Sequence, residues 1–167
     1  MQLAPIPLNE DLRLAALLKL GLLDTEPEAR FDHITIAATE RLHVPISTIS
    51  LLDKNREFYK SCQGTIAKQG DRDVSFCGHA MLAKYVFIVE DTLLDPRFAD
   101  NPMVIGEPHI RFYAGMALRE RVSGLPVGVF CIKDTKPRVM TAEEVAIFME
   151  LTKQAEDELN ANSSVVS

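Results

Sequence analysis

Apolar positions along this chain change period twice, from helical to alternating and back, so helices belong at the two ends and strands in the middle. From Glu10 to Leu20 the residues Leu12, Leu14, Ala15, Ala16, Leu17, Leu18 and Leu20 cover almost the whole circumference of a helix, at about 100° per residue. Such a helix needs cover on more than one side, and near the end of so small a chain a second subunit is one source of it. Asn9 is placed to cap this helix and Gly21 to stop it. Thr25-Glu-Pro-Glu28 has the form of a capping box, with Pro27 where a helix has no donor to lose. Phe31, Ile34, Ala38 and Leu42 then make one apolar stripe, which Pro45 ends.

The period falls to two from Ile46 to Asp53, where Ile49 and Leu51 alternate with Thr48 and Ser50. Turn residues Asp53 to Arg56 lead into a second strand, Glu57 to Cys62. Residues 63–73 are polar with two glycines and form an excursion. Ser75 caps a short helix from Phe76 to about Lys84, and Val86 to Val89 is a short strand. Residues 90–108 hold so many prolines, glycines, Asp and Asn that a long functional loop is expected. Ile110 to Leu118 and Val127 to Asp134 are strands joined through Ser123-Gly124. In the last of them Val127, Val129, Cys131 and Lys133 alternate with Gly128, Phe130 and Ile132. Thr141-Ala-Glu-Glu144 is a second capping box, and Val145, Phe148, Met149, Thr152, Ala155 and Leu159 form a helical stripe. The pattern is α+β: a mainly antiparallel sheet with the terminal helices on one face. Segments 64–84 and 90–109 must roof the other face, and a sheet roofed by loops is a natural place for a ligand cavity.

Composition narrows the function. With 167 residues the chain fits one domain with a proper core from about residue 10 to 160, residues 1–8 and 161–167 being loose ends. The net charge of -6 repels phosphate backbones and anionic lipid, so neither nucleic acid nor membrane is an expected partner. No apolar run approaches the roughly 20 residues of a membrane span, and Met1 to Pro7 has no signal-peptide character, which points to the cytoplasm. Three cysteines, Cys62, Cys77 and Cys131, at wide spacing make neither a disulfide framework nor a zinc pattern. There is no glycine-rich phosphate loop and no serine nucleophile elbow.

Chemistry converges on Ser75-Phe-Cys-Gly-His-Ala80, Asp91 and Ile110-Arg-Phe-Tyr-Ala-Gly115. Candidate ligand-contacting residues are Phe76, Cys77, His79, Asp91, Arg111 and Tyr113. Cys77 and His79, two apart on a helix, point in different directions and do not make a nucleophile pair. Cys77 is either a sensing thiol at a helix start or a small buried hydrophobe. Arg111 and Tyr113 share one strand face. Arg111 grips an anionic or carbonyl group of a ligand, or it pairs with Asp91 or Asp95 to pin the long loop.

Eleven pieces of the chain, in order, resemble the GAF domain family, particularly the members that precede histidine kinases and diguanylate cyclases. They include Leu20-Gly-Leu-Leu-Asp-Thr-Glu-Pro-Glu28, Phe31-Asp-His-Ile-Thr35, Phe76-Cys-Gly-His-Ala80, Asp95-Pro-Arg-Phe98 and Gly128-Val-Phe-Cys-Ile-Lys-Asp134. The resemblance implies a six-stranded antiparallel sheet, a pocket between sheet and loops, and a homodimer through the terminal helices. It also implies a separate signalling output protein as a partner, since 167 residues leave no room for an output module. Ala117 stands where the family usually has proline. Signatures of the members that hold haem, bilin or cyclic nucleotides are not found, which leaves the cofactor and the ligand unidentified. The expected function is sensing of a small molecule, without enzymatic activity. Two alternatives are a thiol-based reductase of the free methionine sulfoxide type and a ligand-free dimerisation or docking module.

Overall fold

The computed structural model describes residues 1–164, with side chains through residue 161. The end of the tail expected to fray after Asn160 lies outside the described residues; the last helix itself continues to Ser164. The helices are α1 (Glu10–Lys19), α2 (Ala29–Leu42), α3 (Phe76–Ala80), α4 (Pro102–Ile105) and α5 (Ala142–Ser164). The strands are β1 (Ile46–Leu52), β2 (Arg56–Gln63), β3 (Gln69–Asp71), β4 (Phe87–Val89), β5 (Phe112–Arg119) and β6 (Pro126–Asp134). They form one six-stranded sheet in the order β3-β2-β1-β6-β5-β4. Every neighbouring pair is antiparallel. The α+β arrangement expected from the periodicity is therefore the one observed.

Alternation along β1 and β6 sends side chains to two separate cores. On the helix side, Ile49, Leu51, Phe130 and Ile132 meet Leu17 of α1, Phe31 and Ala38 of α2, and Phe148 and Leu159 of α5. Phe130 stacks on Phe148 at 5.1 Å between ring centroids. On the loop side, Val129, Cys131 and Tyr113 meet α3, Phe98, Val104 and Ile110.

Polar contacts tie the elements together. Glu10 of α1 lies between two fully buried guanidiniums, bonding Arg13 at 2.7 and 3.1 Å and forming a close ion pair with Arg72. Burial alone would raise the Glu10 carboxyl, but the two arginines outweigh it and bring it to about 2. Lys60, on the helix side of β2, donates to Thr25 Oγ1 and to the Glu26 carbonyl and pairs with Glu28 at 2.7 Å.

Several local expectations change. The capping box at Thr25 does not form: Thr25 Oγ1 donates to the Leu22 carbonyl, and the helix begins after Glu28, whose carboxylate is taken by Arg30 and Lys60. The second box does form, Glu144 N donating to Thr141 Oγ1 at 3.1 Å and Thr141 N to Glu144 Oε1 at 3.0 Å. Helix α3 ends at Ala80, not near Lys84. The polar excursion contains β3, a three-residue edge strand too short and too glycine-rich to show a period. Residues 2–4 are stitched down instead of loose, Gln2 N donating to the Arg97 carbonyl and Ala4 N to that of Asp73.

Candidate functional site

The loop-side face of the sheet carries polar side chains in its middle, and what covers them decides their chemistry. Over β5 and β6 the cover is dry and aromatic. Phe76 of α3 stacks between Phe98 at 4.5 Å and Tyr113 at 5.1 Å. Tyr113 lies flat on its own strand, because a Cβ on Gly115 would come within 2.2 Å of the phenol oxygen. That oxygen donates to Cys77 Sγ at 3.2 Å. Thr48 Oγ1 lies 3.0 Å from Cys131 Sγ and 2.9 Å from Ser50 Oγ, which Cys77 also approaches. Cys77 and Cys131 are thus parts of one sealed polar network. Burial pushes the Cys77 thiol well up. At Cys131 burial acts the same way, but hydrogen bonds from Cys77 and Thr48 and the Lys133 ammonium bring the thiol down.

The remaining sequence candidates lie around this block. His79 Nε2 sits 3.1 Å from the Gln2 carbonyl and its ring meets Phe98 edge-on; burial lowers its pKa. Asp91 accepts from Leu93 N, caps the one-turn 3-10 helix Thr92–Leu94, and lines a shallow surface groove together with Leu94 and Arg97. Arg111 precedes β5 and donates to the carbonyls of Val104 and Ile110, not to Asp91 or Asp95; Asp95 is held by Arg97 at 2.7 Å. The free carbonyls at the end of α4 explain this choice, since the last turn of a helix lacks partners. Phe76, Cys77, His79 and Tyr113 come together, but as packed core. None of the six candidates lines the cavity described next.

The hollow lies over the other half of the face. A cavity of about 310 Å³ is bounded by β1, β2, β3, β6 and the segments around Val74, Met103 and Pro108. Its polar wall is Thr48, Glu57, Tyr59 and Lys133. Its apolar wall includes Ile46, Val74, Met103 and Ile110. Tyr59 donates to Glu57 Oε1 at 2.7 Å. Burial, with the Glu57 charge next, pushes the Tyr59 phenol far up, so it stays a donor. Gly70 of β3 faces Glu57 in register, and a Cβ there would press to 2.8 Å from the Tyr59 hydroxyl. Burial disfavours the Lys133 ammonium, but the Cys131 sulfur and Glu57 more than offset this and raise its pKa.

Periodicity singled out none of Glu57, Tyr59 or Lys133, although the signal was present. Lys133 is a charge on the same row as Val127, Val129 and Cys131, and Glu57 stands on the row opposite Phe58.

Residues 26–159 match the model of the GAF domain, and the chain belongs to that family. It is 43% identical over 150 residues to the cyclic di-GMP phosphodiesterase PA2567 of Pseudomonas aeruginosa, a match covering 90% of this chain and 25% of that protein. The chain thus spans about a quarter of the curated relative's length. Among solved structures, the GAF domain of a phosphoenolpyruvate-protein phosphotransferase from Coxiella burnetii has a TM-score of 0.65 at 16% identity, covering 95% of this chain and 99% of that one. The free methionine-R-sulfoxide reductase of Neisseria meningitidis in complex with its substrate has a TM-score of 0.64 at 16% identity, covering 94% and 93%. At such identities these two likenesses concern the fold.

Proposed function

We propose that this chain is a sensory GAF domain that takes a small molecule into the cavity beneath segments 64–74 and 103–110 and passes its occupancy to the terminal helices. The observation that supports this most is that strands β1 and β6 carry both surfaces. Thr48 and Lys133 touch the cavity, and their neighbours Ile49 and Ile132 touch the helix core. Phe130, the neighbour of Cys131 on β6 and on the opposite face, stacks directly on Phe148 of α5. A ligand that shifts β6 shifts the packing of α5, and it biases the helices by as much as its affinity differs between the two arrangements. Leu12 and Leu18 on the outer side of α1, 66% and 67% exposed, give the output a surface for a homodimer or a signalling module. The kinship with a cyclic di-GMP phosphodiesterase fits a role in signal transduction. Three unpaired cysteines fit a cytoplasmic setting, and among the described residues no helix is long and apolar enough to cross a membrane.

A thiol reductase is less well supported. Cys77 and Cys131 are fully buried beside the cavity and not on its wall, and burial raises half-buried Cys62 to about 11. The decisive experiment is native mass spectrometry of freshly purified protein beside Met103→Trp, which fills the cavity from α4. A bound small molecule in the parent that is missing from the variant is the expected result. Equal spectra, with or without a bound mass, count against the cavity as the sensing site.

A further inference from the structure

Glu57 and Lys133 stand on the wall of one cavity, and among the described residues neither has an ion pair at contact distance. Glu57 is 1% exposed and accepts from Tyr59 at Oε1, while its Oε2 has no hydrogen-bond partner. Lys133 is 5% exposed, and among the described residues its ammonium has neither a hydrogen bond nor an ion pair within 4.0 Å. The two do not pair with each other, and the sheet register gives the reason. Glu57 lies opposite Leu52, and Lys133 opposite Ile46, at the two ends of β1. Their backbones are therefore about 20 Å apart along the sheet, at ~3.3 Å per residue. The side chains reach inward from opposite ends of the cavity, with Thr48 and Tyr59 on the wall between.

An uncompensated buried charge is costly, and a buried polar atom without a partner calls for a reason. Other buried charges here have an ion pair, although Arg13 Nη1 and Arg72 Nε also stand without a hydrogen bond. Arg13 and Arg72 share the Glu10 carboxylate, and Lys60 pairs with Glu28. We propose that the cavity recognises a small amphoteric molecule, its anionic group held by Lys133 and its cationic or strongly donating group by Glu57. This rests on the cavity being the sensing site. A lone anion would satisfy Lys133 and leave Glu57 opposed to it, and a lone cation would do the reverse. Only a ligand with both charges completes both ends. Because the ends are separated, the charges must be separated too, as in an ω-amino carboxylate, with a short hydrocarbon body against Ile46, Met103 and Ile110. The volume, about 310 Å³, is at the small end of ligand pockets and suits a compact metabolite.

The test is calorimetric titration of the whole chain with γ-aminobutyrate, δ-aminovalerate and ε-aminocaproate, beside caproate and hexylamine. Glu57→Gln and Lys133→Met keep the shape and remove one charge each. At least one amino carboxylate should bind about tenfold or more tighter than the singly charged compounds, and each variant should abolish that advantage. Both variants, ligand-free, should melt no lower than the parent, since each removes a buried charge that has no ion pair at contact distance, and a glutamine amide oxygen at position 57 still accepts from Tyr59. The proposal falls if no amino carboxylate binds, if caproate or hexylamine binds as tightly, or if the advantage survives both substitutions. Loss of thermal stability in both variants would show charges that support the fold, and overturns it as well. Native mass spectrometry separates the two readings. A bound mass lost in Met103→Trp but kept in Glu57→Gln and Lys133→Met leaves the cavity as the sensing site and removes only the amphoteric ligand.

Discussion

The two faces of the sheet solve the same problem in opposite ways. Against the helices, the buried polar groups of β2 are answered by the chain itself. Lys60 has three oxygen partners, and Ser61 Oγ donates to Asp32 and lies 2.8 Å from Thr35 Oγ1. Rings and aliphatic chains fill the rest. Against the loops, half of the face is closed by Phe76, Phe98 and Tyr113, and the other half is left hollow with Glu57 and Lys133 incompletely partnered. A face built for stability satisfies its own polar atoms. A face kept for recognition leaves some for a visitor, and the same strands can carry both because alternation separates them.

The sharpest way to break this contrast is to delete one side chain from each face. Phe130→Ala removes a fully buried ring stacked on α5 and should cost about 3–5 kcal/mol, read from urea denaturation. Met103→Ala, at the half-buried wall of an existing cavity, should cost about 1 kcal/mol, because little packing is lost where a void already stands. Equal losses would mean that the loop face is as tightly committed to the fold as the helix face.

A somewhat smaller effect is expected where α1 joins the loop side. Glu10→Gln leaves Arg13 and Arg72 buried without a carboxylate. The Glu10 pKa falls from 4.5 to about 2 in the folded chain. A depressed carboxylate stabilises the fold fully above its unfolded pKa and loses that contribution as pH falls through the folded one. The loss should therefore run from about pH 4.5 down to about pH 2 and amount to about 3 kcal/mol. Glu28, also brought to about 2 chiefly by Arg30 and then Lys60, titrates in the same window but is more exposed and contributes less. The Glu10→Gln variant should be less stable at neutral pH and should show a shallower acid limb. An unchanged acid limb would mean that the buried arginines do not depend on this carboxylate.

The two capping boxes show what could be read in the sequence. Both Thr25-Glu-Pro-Glu28 and Thr141-Ala-Glu-Glu144 have the same local form. Only the second forms, because other partners claim the first: Leu22 and Lys60 take Thr25, and Arg30 and Lys60 take Glu28. The same division runs through the molecule. Helices α1, α2, α3 and α5 and five strands follow from spacing along the chain, whereas α4 lies inside the expected loop of residues 90–108 and β3 escapes because an edge of three residues has no period to show. Phe76, Cys77, His79 and Tyr113 were legible as a cluster, but which half of the face stays hollow depends on the loops above it, and loop paths are not periodic. Thr141→Ala should cost about 1 kcal/mol as the loss of one cap. Thr25→Ala should cost more, since it also removes an acceptor from buried Lys60. Thermal midpoints of the two variants decide the order, and a reversed order would make the Thr25 network incidental.

The smallest stability effect belongs to the outer side of α1, where the expected all-round apolar helix is only partly covered. Arg13, Ala16 and Leu17 are buried, while Leu12 and Leu18 stand in solvent. Replacing both with Asp should leave the stability of the single chain within about 0.5 kcal/mol, since surface changes away from packed groups rarely do more. Light scattering after size exclusion reads the other consequence. If this surface joins two copies, the parent is a dimer and the double variant a monomer of nearly unchanged midpoint. A parent that stays monomeric at high concentration assigns these leucines to a different partner, and the coupling from β6 through Phe130 and Phe148 would then end on a module of another kind.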